Sequence, residues 1–344
     1  MNTTTYAEAG VNVKQGDDFV DNIKTFADNT FKVGVMNKLG TFASLFSLKA
    51  INYKDPILVS STDGVGSKLF LLQKIGLDYV AGMDLVAMST NDILCHGAQP
   101  LYFLDYLAVG SSVKDENLTQ FVRGIADGCN RAGCALVGGE TAYLSKHMPE
   151  GKYEAAGFAV GAVEKINLLP NGIRDGDYLI GLHSSGLHCT GFSMLGEVID
   201  FPKEMYDQVV APCKDYVKDL EDIIPFLSGI ANITGGGFQN VKRIMPDDHH
   251  AFLDITWKVP SIYEYIKSGK GTFNQLPVER DEMLKTFNCG IGMVLVVNPL
   301  HMIRVAEHLG ERGVGFNQIG LVRKMENKRP KPGSISISGM LGSL

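Results

Sequence analysis

Ile57-Leu-Val-Ser-Ser-Thr-Asp-Gly-Val-Gly-Ser-Lys68 is the stretch from which the first half of this 344-residue chain is read. Ile57–Ser61 is a short apolar run leading to Asp-Gly, the pattern of a buried strand feeding a turn. Gly64 and Gly66 let the backbone turn tightly and come close to a ligand. Lys68 can neutralise a phosphate. Asp63 can hold Mg²⁺, which takes carboxylates together with phosphate oxygens. The GxxxxGK[ST] spacing is absent, so this is not a Walker A loop. An ordinary Asp-Gly turn beside a solvated lysine has the same local pattern, so the reading depends on the rest of the chain.

Downstream, Tyr79–Cys95 has apolar residues at mixed helical spacing and is stopped by His96-Gly97-Ala98 and Pro100. Tyr102–Val109 reads as a strand, Glu116–Ala132 as an amphipathic helix ended by Gly133, and Ala135–Val137 as a short strand running into a Gly138-Gly139-Glu140-Thr141 loop. Tyr153–Val163 is a further strand. A turn-rich connector from Lys165 places the domain boundary there, with domains 1–165 and 166–344. In the second half Tyr178–Leu182, Phe252–Ile255, Ile291–Val297 and Asn317–Val322 read as strands. Helices are expected after Gly191, after the turn Thr234–Gly237, and over Pro299–Arg312. Ser334-Ile-Ser-Ile-Ser338 is a last alternating strand or a frayed end. Strands and helices mix in both halves, so the class is α/β or α+β.

Hydrophobic residues make up 45% and charged residues 20%, the balance of a globular protein. The net charge of -6 comes with scattered basic residues, which argues against a nucleic-acid footprint. The six cysteines form no CxxC pair, as expected of reduced thiols in the cytoplasm. No apolar run is long enough to span a bilayer, and the first residues have no basic and apolar leader pattern. A soluble cytoplasmic protein is expected.

Several clusters carry oxygen side chains among small or apolar neighbours. If Gly82–Asp92 is helical, Asp84 and Asn91 lie two turns apart on one face, with Asp92 on the adjoining flank. Burying them is costly unless they are paired or metal-bound; otherwise Asp84 caps the helix and Asp92 meets water. Two carboxylate loops, at Asp63 and Glu140, together with that helix would make a hard-cation site for Mg²⁺ and ATP. Ser184-Ser185-Gly186-Leu187-His188 and Thr234-Gly235-Gly236-Gly237 are Gly-rich turns suited to anions. His188 can donate a hydrogen bond or move a proton. Phe287-Asn-Cys-Gly290 reads as core, Lys24, Lys38 and Lys54 as surface lysines, and His249 and His250 as solvated in an acidic loop.

The order of these motifs resembles one family, the phosphoribosylformylglycinamidine cyclo-ligases, also called AIR synthetases. The resemblance runs from Tyr6-Ala-Glu-Ala-Gly-Val through Asp63-Gly-Val-Gly-Ser-Lys, Asp84-Leu-Val-Ala-Met, Asn91-Asp92 and Phe103-Leu-Asp-Tyr. It continues with Gly138-Gly-Glu-Thr, Ala156-Gly-Phe-Ala-Val-Gly, Ser184-Ser-Gly, Ile233-Thr-Gly-Gly-Gly-Phe and Thr286-Phe-Asn-Cys-Gly. It implies a two-domain subunit, an α/β C-terminal domain, and a homodimer whose N-terminal domains build a shared β-barrel. It also implies ATP, Mg²⁺ and formylglycinamidine ribonucleotide as substrates, with the imidazole ring closing after the formyl oxygen is phosphorylated. By this resemblance ATP is held by Asp63, Gly64, Gly66, Lys68, Asn91, Asp92, Gly138, Gly139, Glu140 and Thr141. Asp63, Asp92 and Glu140 take the metal. Ser185, Gly186, His188 and Gly235–Gly237 face the substrate, and Lys68 and His188 serve the chemistry.

The chain departs from the family pattern in places. Where the family reads Gly-Gly-Phe-Gly, this sequence has Gly40-Thr41-Phe42-Ala43; Tyr143 stands where an acidic or amide residue is usual; and Cys189 and Thr190 follow His188 in place of the usual Ser-Asn. The alternatives are another ATP-using enzyme of the superfamily, such as thiamin-monophosphate kinase or selenophosphate synthetase, and a catalytically silent nucleotide-binding relative.

Overall fold

The computed structural model describes residues 13–197, 201–325 and 333–341; the Tyr6–Val11 motif lies outside them. The chain divides into two compact units. One holds the described residues through Ile93 together with Gln99–Ala162, and the other holds Leu94–Ala98 and the described residues from Val163 onward.

The first unit is built on a four-stranded sheet in the order β1-β4-β2-β3, from β1 (Pro56–Gly64), β2 (Gln99–Val109), β3 (Ala135–Tyr143) and β4 (Tyr153–Glu164). β2 runs antiparallel to β4 and parallel to β3. Its helices are α1 (Val13–Asp28), α2 (Ser67–Lys74), α3 (Asp78–Leu94) and α4 (Asp115–Ala132). α4 buries Leu118, Phe121, Val122, Ile125 and Cys129, a three-to-four spacing that makes one apolar face. Asp115 and Glu116 lie at its N-terminus and Arg131 in its last turn, matching the helix dipole, and Gly133 in the left-handed region ends it. α3 and α4 meet through glycines: a Cβ on Gly82 would lie 2.0 Å from the Phe121 carbonyl oxygen, and one on Gly124 2.0 Å from that of Tyr79.

Both motif segments expected to be loops belong to strands. Asp63 and Gly64 end β1, and Gly138–Thr141 are paired residues of β3. Ladder hydrogen bonds to β2 override the weak strand preference of Gly-Gly, because context outweighs intrinsic propensity in sheets. Asp84 does not cap α3, which starts six residues earlier; it is buried mid-helix.

The second unit holds a six-stranded sheet in the order β10-β7-β9-β5-β8-β6. Its strands are β5 (Tyr178–His183), β6 (Leu227–Asn232), β7 (His249–Asp254), β8 (Ile291–Val297), β9 (Phe316–Lys324) and β10 (Ser334–Ser338). Every residue of β8 is buried, which explains its unbroken apolar run. β8 is antiparallel to both β5 and β6, so the C-terminal ends of those two strands and the start of β8 fall at one edge of the sheet. The helices are α5 (Tyr206–Val210), α6 (Val217–Leu220), α7 (Ser261–Lys267), α8 (Arg280–Thr286) and α9 (Met302–Glu311).

Three expectations for this half change. Gly191 leads only into a 3₁₀ turn at Phe192–Met194, and the helix after the triple glycine, Gly237–Ile244, is also 3₁₀. His249 and His250 are not solvated loop residues: they open β7 and are buried. Imidazole is apolar enough to bury once its nitrogens are satisfied, and His250 bonds the hydroxyls of Ser334 (2.9 Å) and Ser336 (2.8 Å) on the parallel neighbour β10.

Candidate active site

In the first unit α1, β2, β3 and the loop at 38–44 enclose a cavity of about 570 Å³. Ile23, Ala27, Val122 and Leu136 line its apolar side, and Lys38, Thr41, Asp105 and Glu140 supply polar groups. Gly138, Gly139 and Thr141 also line it, so the whole Gly-Gly-Glu-Thr motif faces this space. The loop is fastened to β3 by Ser44, whose hydroxyl donates to the Val137 carbonyl (2.5 Å).

Asp105 is the residue that motif reading left without a role. It stands opposite Gly139 on β3 and Gly157 on β4. A Cβ on Gly139 would lie 2.3 Å from Asp105 Oδ1, so a glycine is required beside this carboxylate. Surrounding protein atoms strip water from the carboxyl group and push its pKa up to about 7, partly opposed by a backbone hydrogen bond. The signal in the sequence was an acid between two buried hydrophobes, Phe103 and Leu107, at strand spacing.

The other motif residues are placed differently. Lys68 is not a solvated lysine: its Nζ lies 2.8 Å from Asp84 Oδ2, and both side chains are fully buried. Asn91 is buried on α3 and Asp92 half-buried. Asp63 accepts from the Gly64 N–H (2.7 Å). Asp63 and Glu140 lie on opposite edge strands, three strand spacings or roughly 14 Å apart. Among the described residues no three His, Cys, Asp or Glu side chains gather closely enough to hold a metal ion. One chain therefore does not bring Asp63, Asp92 and Glu140 together as a Mg²⁺ donor set.

The second unit gathers its two Gly-rich loops. Because β5 and β6 both flank β8, the loops that follow them meet the segment preceding and opening β8. The Ser184 N–H donates to the Gly290 carbonyl (2.9 Å) and the Ile233 N–H to that of Gly292 (3.0 Å). Asn288 Nδ2 and the Tyr263 hydroxyl both reach the Gly186 carbonyl at 3.0 Å, while Asn288 Oδ1 accepts from the Gly290 N–H (2.8 Å). Phe287-Asn-Cys-Gly is thus core, as read, and it also fastens the Ser184–Gly186 loop through Asn288 and Gly290.

His188 is 2% exposed and lies in the left-handed region at φ 57°. Its Nε2 accepts from the backbone N–H of Ser185 (3.2 Å) and, more weakly, Lys214 (3.5 Å). The Ser185 hydroxyl donates to the Pro212 carbonyl (2.6 Å). Gly235 and Gly236 are exposed, with open space around Gly235 where an anion can approach the backbone. Gly237 is a packing glycine instead, since a Cβ there would lie 2.1 Å from the Leu284 carbonyl oxygen.

The first unit, an open four-stranded sheet with helices, and the second, a mixed six-stranded sheet with helices, each carry glycine-rich loops and define a two-domain α/β architecture. The AIR synthase related protein N-terminal domain matches residues 49–163 and the corresponding C-terminal domain residues 174–330. The chain is 43% identical over 335 residues to the phosphoribosylformylglycinamidine cyclo-ligase of Clostridium tetani, covering 94% of this chain and 98% of that protein. It is 42% identical over 344 residues to the one of Chromobacterium violaceum, covering 95% and 97%. The chain belongs to the phosphoribosylformylglycinamidine cyclo-ligase family.

Solved structures with the same fold are more distant in sequence. The thiamine-monophosphate kinase of Stenotrophomonas maltophilia superposes with a TM-score of 0.63 at 13% identity, over 93% of this chain and 96% of that one. The hydrogenase maturation protein HypE in complex with ATP superposes with a TM-score of 0.60 at 13% identity, over 95% and 92%.

Proposed function

We propose that this protein is an ATP-dependent cyclo-ligase that converts formylglycinamidine ribonucleotide to aminoimidazole ribonucleotide in purine biosynthesis. The formyl amide oxygen attacks the γ-phosphorus of ATP and ADP departs. The amidine nitrogen then attacks the formyl carbon, loses a proton, and expels phosphate with the former formyl oxygen, closing the ring. Such chemistry needs positioning and charge neutralisation rather than a covalent nucleophile.

The observation that carries the reading is the cavity bounded by Gly138–Thr141, because its glycines open the strand face and its apolar wall suits a nucleotide base. ATP occupies this cavity, and the loops at Ser185–His188 and Gly235–Gly236 receive the ribonucleotide. His188 positions its loop through Nε2. Lys68 supports α3 from inside, through Asp84, and orders Asn91 and Asp92 about two turns further on. Mg²⁺ would arrive with the nucleotide, bound to its phosphate oxygens.

The working form is a homodimer in the cytoplasm. Leu58, Tyr106 and Phe158 are each more than 40% exposed, and Tyr106 and Phe158 lie on the sheet face turned away from Phe103 and Leu107. Joining two such sheets at their open edges β1 and β3 into one barrel covers that apolar face. No helix among the described residues is long and apolar enough to cross a membrane.

The test is purified protein with ATP, Mg²⁺ and formylglycinamidine ribonucleotide, assayed for ADP and the aminoimidazole product. Equimolar ADP and product, lost in Asp63→Asn and Glu140→Gln, is expected. ADP released without the ribonucleotide would move the protein to a different ATP-using chemistry, and neither product from a folded dimer would indicate a silent relative.

A further inference from the structure

Where the related pattern has Gly-Gly-Phe-Gly, this chain has Gly40-Thr41-Phe42-Ala43, and the structure gives the substituted threonine a task. Asn37 Nδ2 donates to Thr41 Oγ1 (2.5 Å) and to the Ala43 carbonyl (2.9 Å). Thr41 Oγ1 in turn donates to the Ala43 carbonyl (3.0 Å). The Leu45 N–H donates to Asn37 Oδ1 (2.7 Å), closing a ring of side-chain and backbone bonds across the loop. Below this ring the Met36 N–H donates to the Leu45 carbonyl (2.9 Å) and the Ser47 N–H to that of Gly34 (2.8 Å), while Val35 and Phe46 form an antiparallel bridge. Ser44 pins the far side to β3. Residues 38–44 all line the cavity, and Phe42 stands fully in solvent at its mouth.

We propose that Thr41 is a positioning residue for nucleotide binding: it holds the 37–45 loop in its closed shape over the cavity before ATP arrives. A glycine at this position would leave the loop more backbone freedom, which binding must then remove. Thr41 removes part of that freedom in advance by adding a donor and an acceptor to the Asn37 ring, so less ordering opposes binding. This rests on the reading that the cavity takes ATP. The loop is solvent-exposed, so its hydrogen bonds fall at the lower end of the usual range.

The test measures kcat and KM for ATP, together with amide hydrogen exchange over 38–45 and 138–141, with and without a non-hydrolysable ATP analogue. The proteins compared are the unmodified chain, Thr41→Val and Thr41→Ser. Thr41→Val keeps the shape and loses the hydroxyl. It is expected to raise KM for ATP roughly 3- to 10-fold at nearly constant kcat, and to speed exchange at 38–45 in the free protein. Thr41→Ser keeps the hydroxyl and is expected to restore both. Unchanged KM and exchange in Thr41→Val, or equal defects in Val and Ser, would overturn the proposal. If the analogue binds the unmodified protein but protects neither 38–45 nor 138–141, the cavity reading itself has failed, and the proposal falls with it.

Discussion

Lys68→Ala is the most informative single change in the first unit. The Nζ–Oδ2 separation of 2.8 Å, with both side chains at 0% exposure, makes this an ion pair shielded from water. At an effective dielectric near 20, Coulomb's law gives an attraction of about 6 kcal/mol at that distance, much of which offsets the cost of desolvating the two ions. Removing the cation leaves the fully buried Asp84 carboxylate without that counter-ion and should destabilise the unit by about 3–5 kcal/mol. For a unit of this size that corresponds to a fall in Tm of roughly 6–20 °C. The assay is thermal unfolding followed by circular dichroism, alongside urea unfolding. The double variant Lys68→Met/Asp84→Leu removes both charges and should recover most of the loss. A Lys68→Ala protein that melts within about 2 °C of the unmodified chain, while its KM for ATP rises sharply, would refute the structural role and return Lys68 to the phosphates.

Four further outcomes are expected. Gly139→Ala puts a methyl group 2.3 Å from the Asp105 carboxylate and 3.0 Å from its carbonyl oxygen; a loss of about 1–3 kcal/mol in urea unfolding should follow. The Asp105 pKa is raised to about 7 in the fold against 3.8 unfolded. Its contribution is therefore most favourable below pH 4 and is lost as pH rises to about 7, so Asp105→Asn should gain on the unmodified chain across that window in unfolding measured at a series of pH values. Asn288→Ala leaves the Gly290 N–H without its buried acceptor and takes one donor from the Gly186 carbonyl; a loss of about 2 kcal/mol and a raised KM for the ribonucleotide should appear in calorimetry and steady-state kinetics. Phe158→Glu, on the exposed sheet face, should shift the protein from dimer to monomer by light scattering.

The element types were largely legible because their periods are strong. α4 repeats its apolar residues every three to four positions and ends at Gly133, and β8 is an unbroken apolar run. The segments that resisted were those where glycine is dense. Gly138–Thr141 looks like a loop by composition, and the residues after Gly191 and Gly236 look like ordinary helix starts. Tertiary pairing turned the first into strand and held the other two as 3₁₀ turns. His249 and His250 are buried although acidic, polar residues flank them in sequence, because that is not their neighbourhood in space, where Ser334 and Ser336 lie beside His250.

The amino-acid sequence alone determined the mixed α/β class, the motif order that resembles the cyclo-ligases, and the residues able to carry phosphate chemistry, because these depend on side-chain identity and short-range spacing. Only the tertiary structure decided which of those residues meet. It sent Lys68 inward to Asp84, separated Asp63 from Glu140 by the width of the sheet, set Asp105 over Gly139, and tied the Gly186 loop to the distant segment before β8 through Asn288. Such contacts depend on strand order and register, and these are settled by packing across the whole unit rather than by any local stretch of chain.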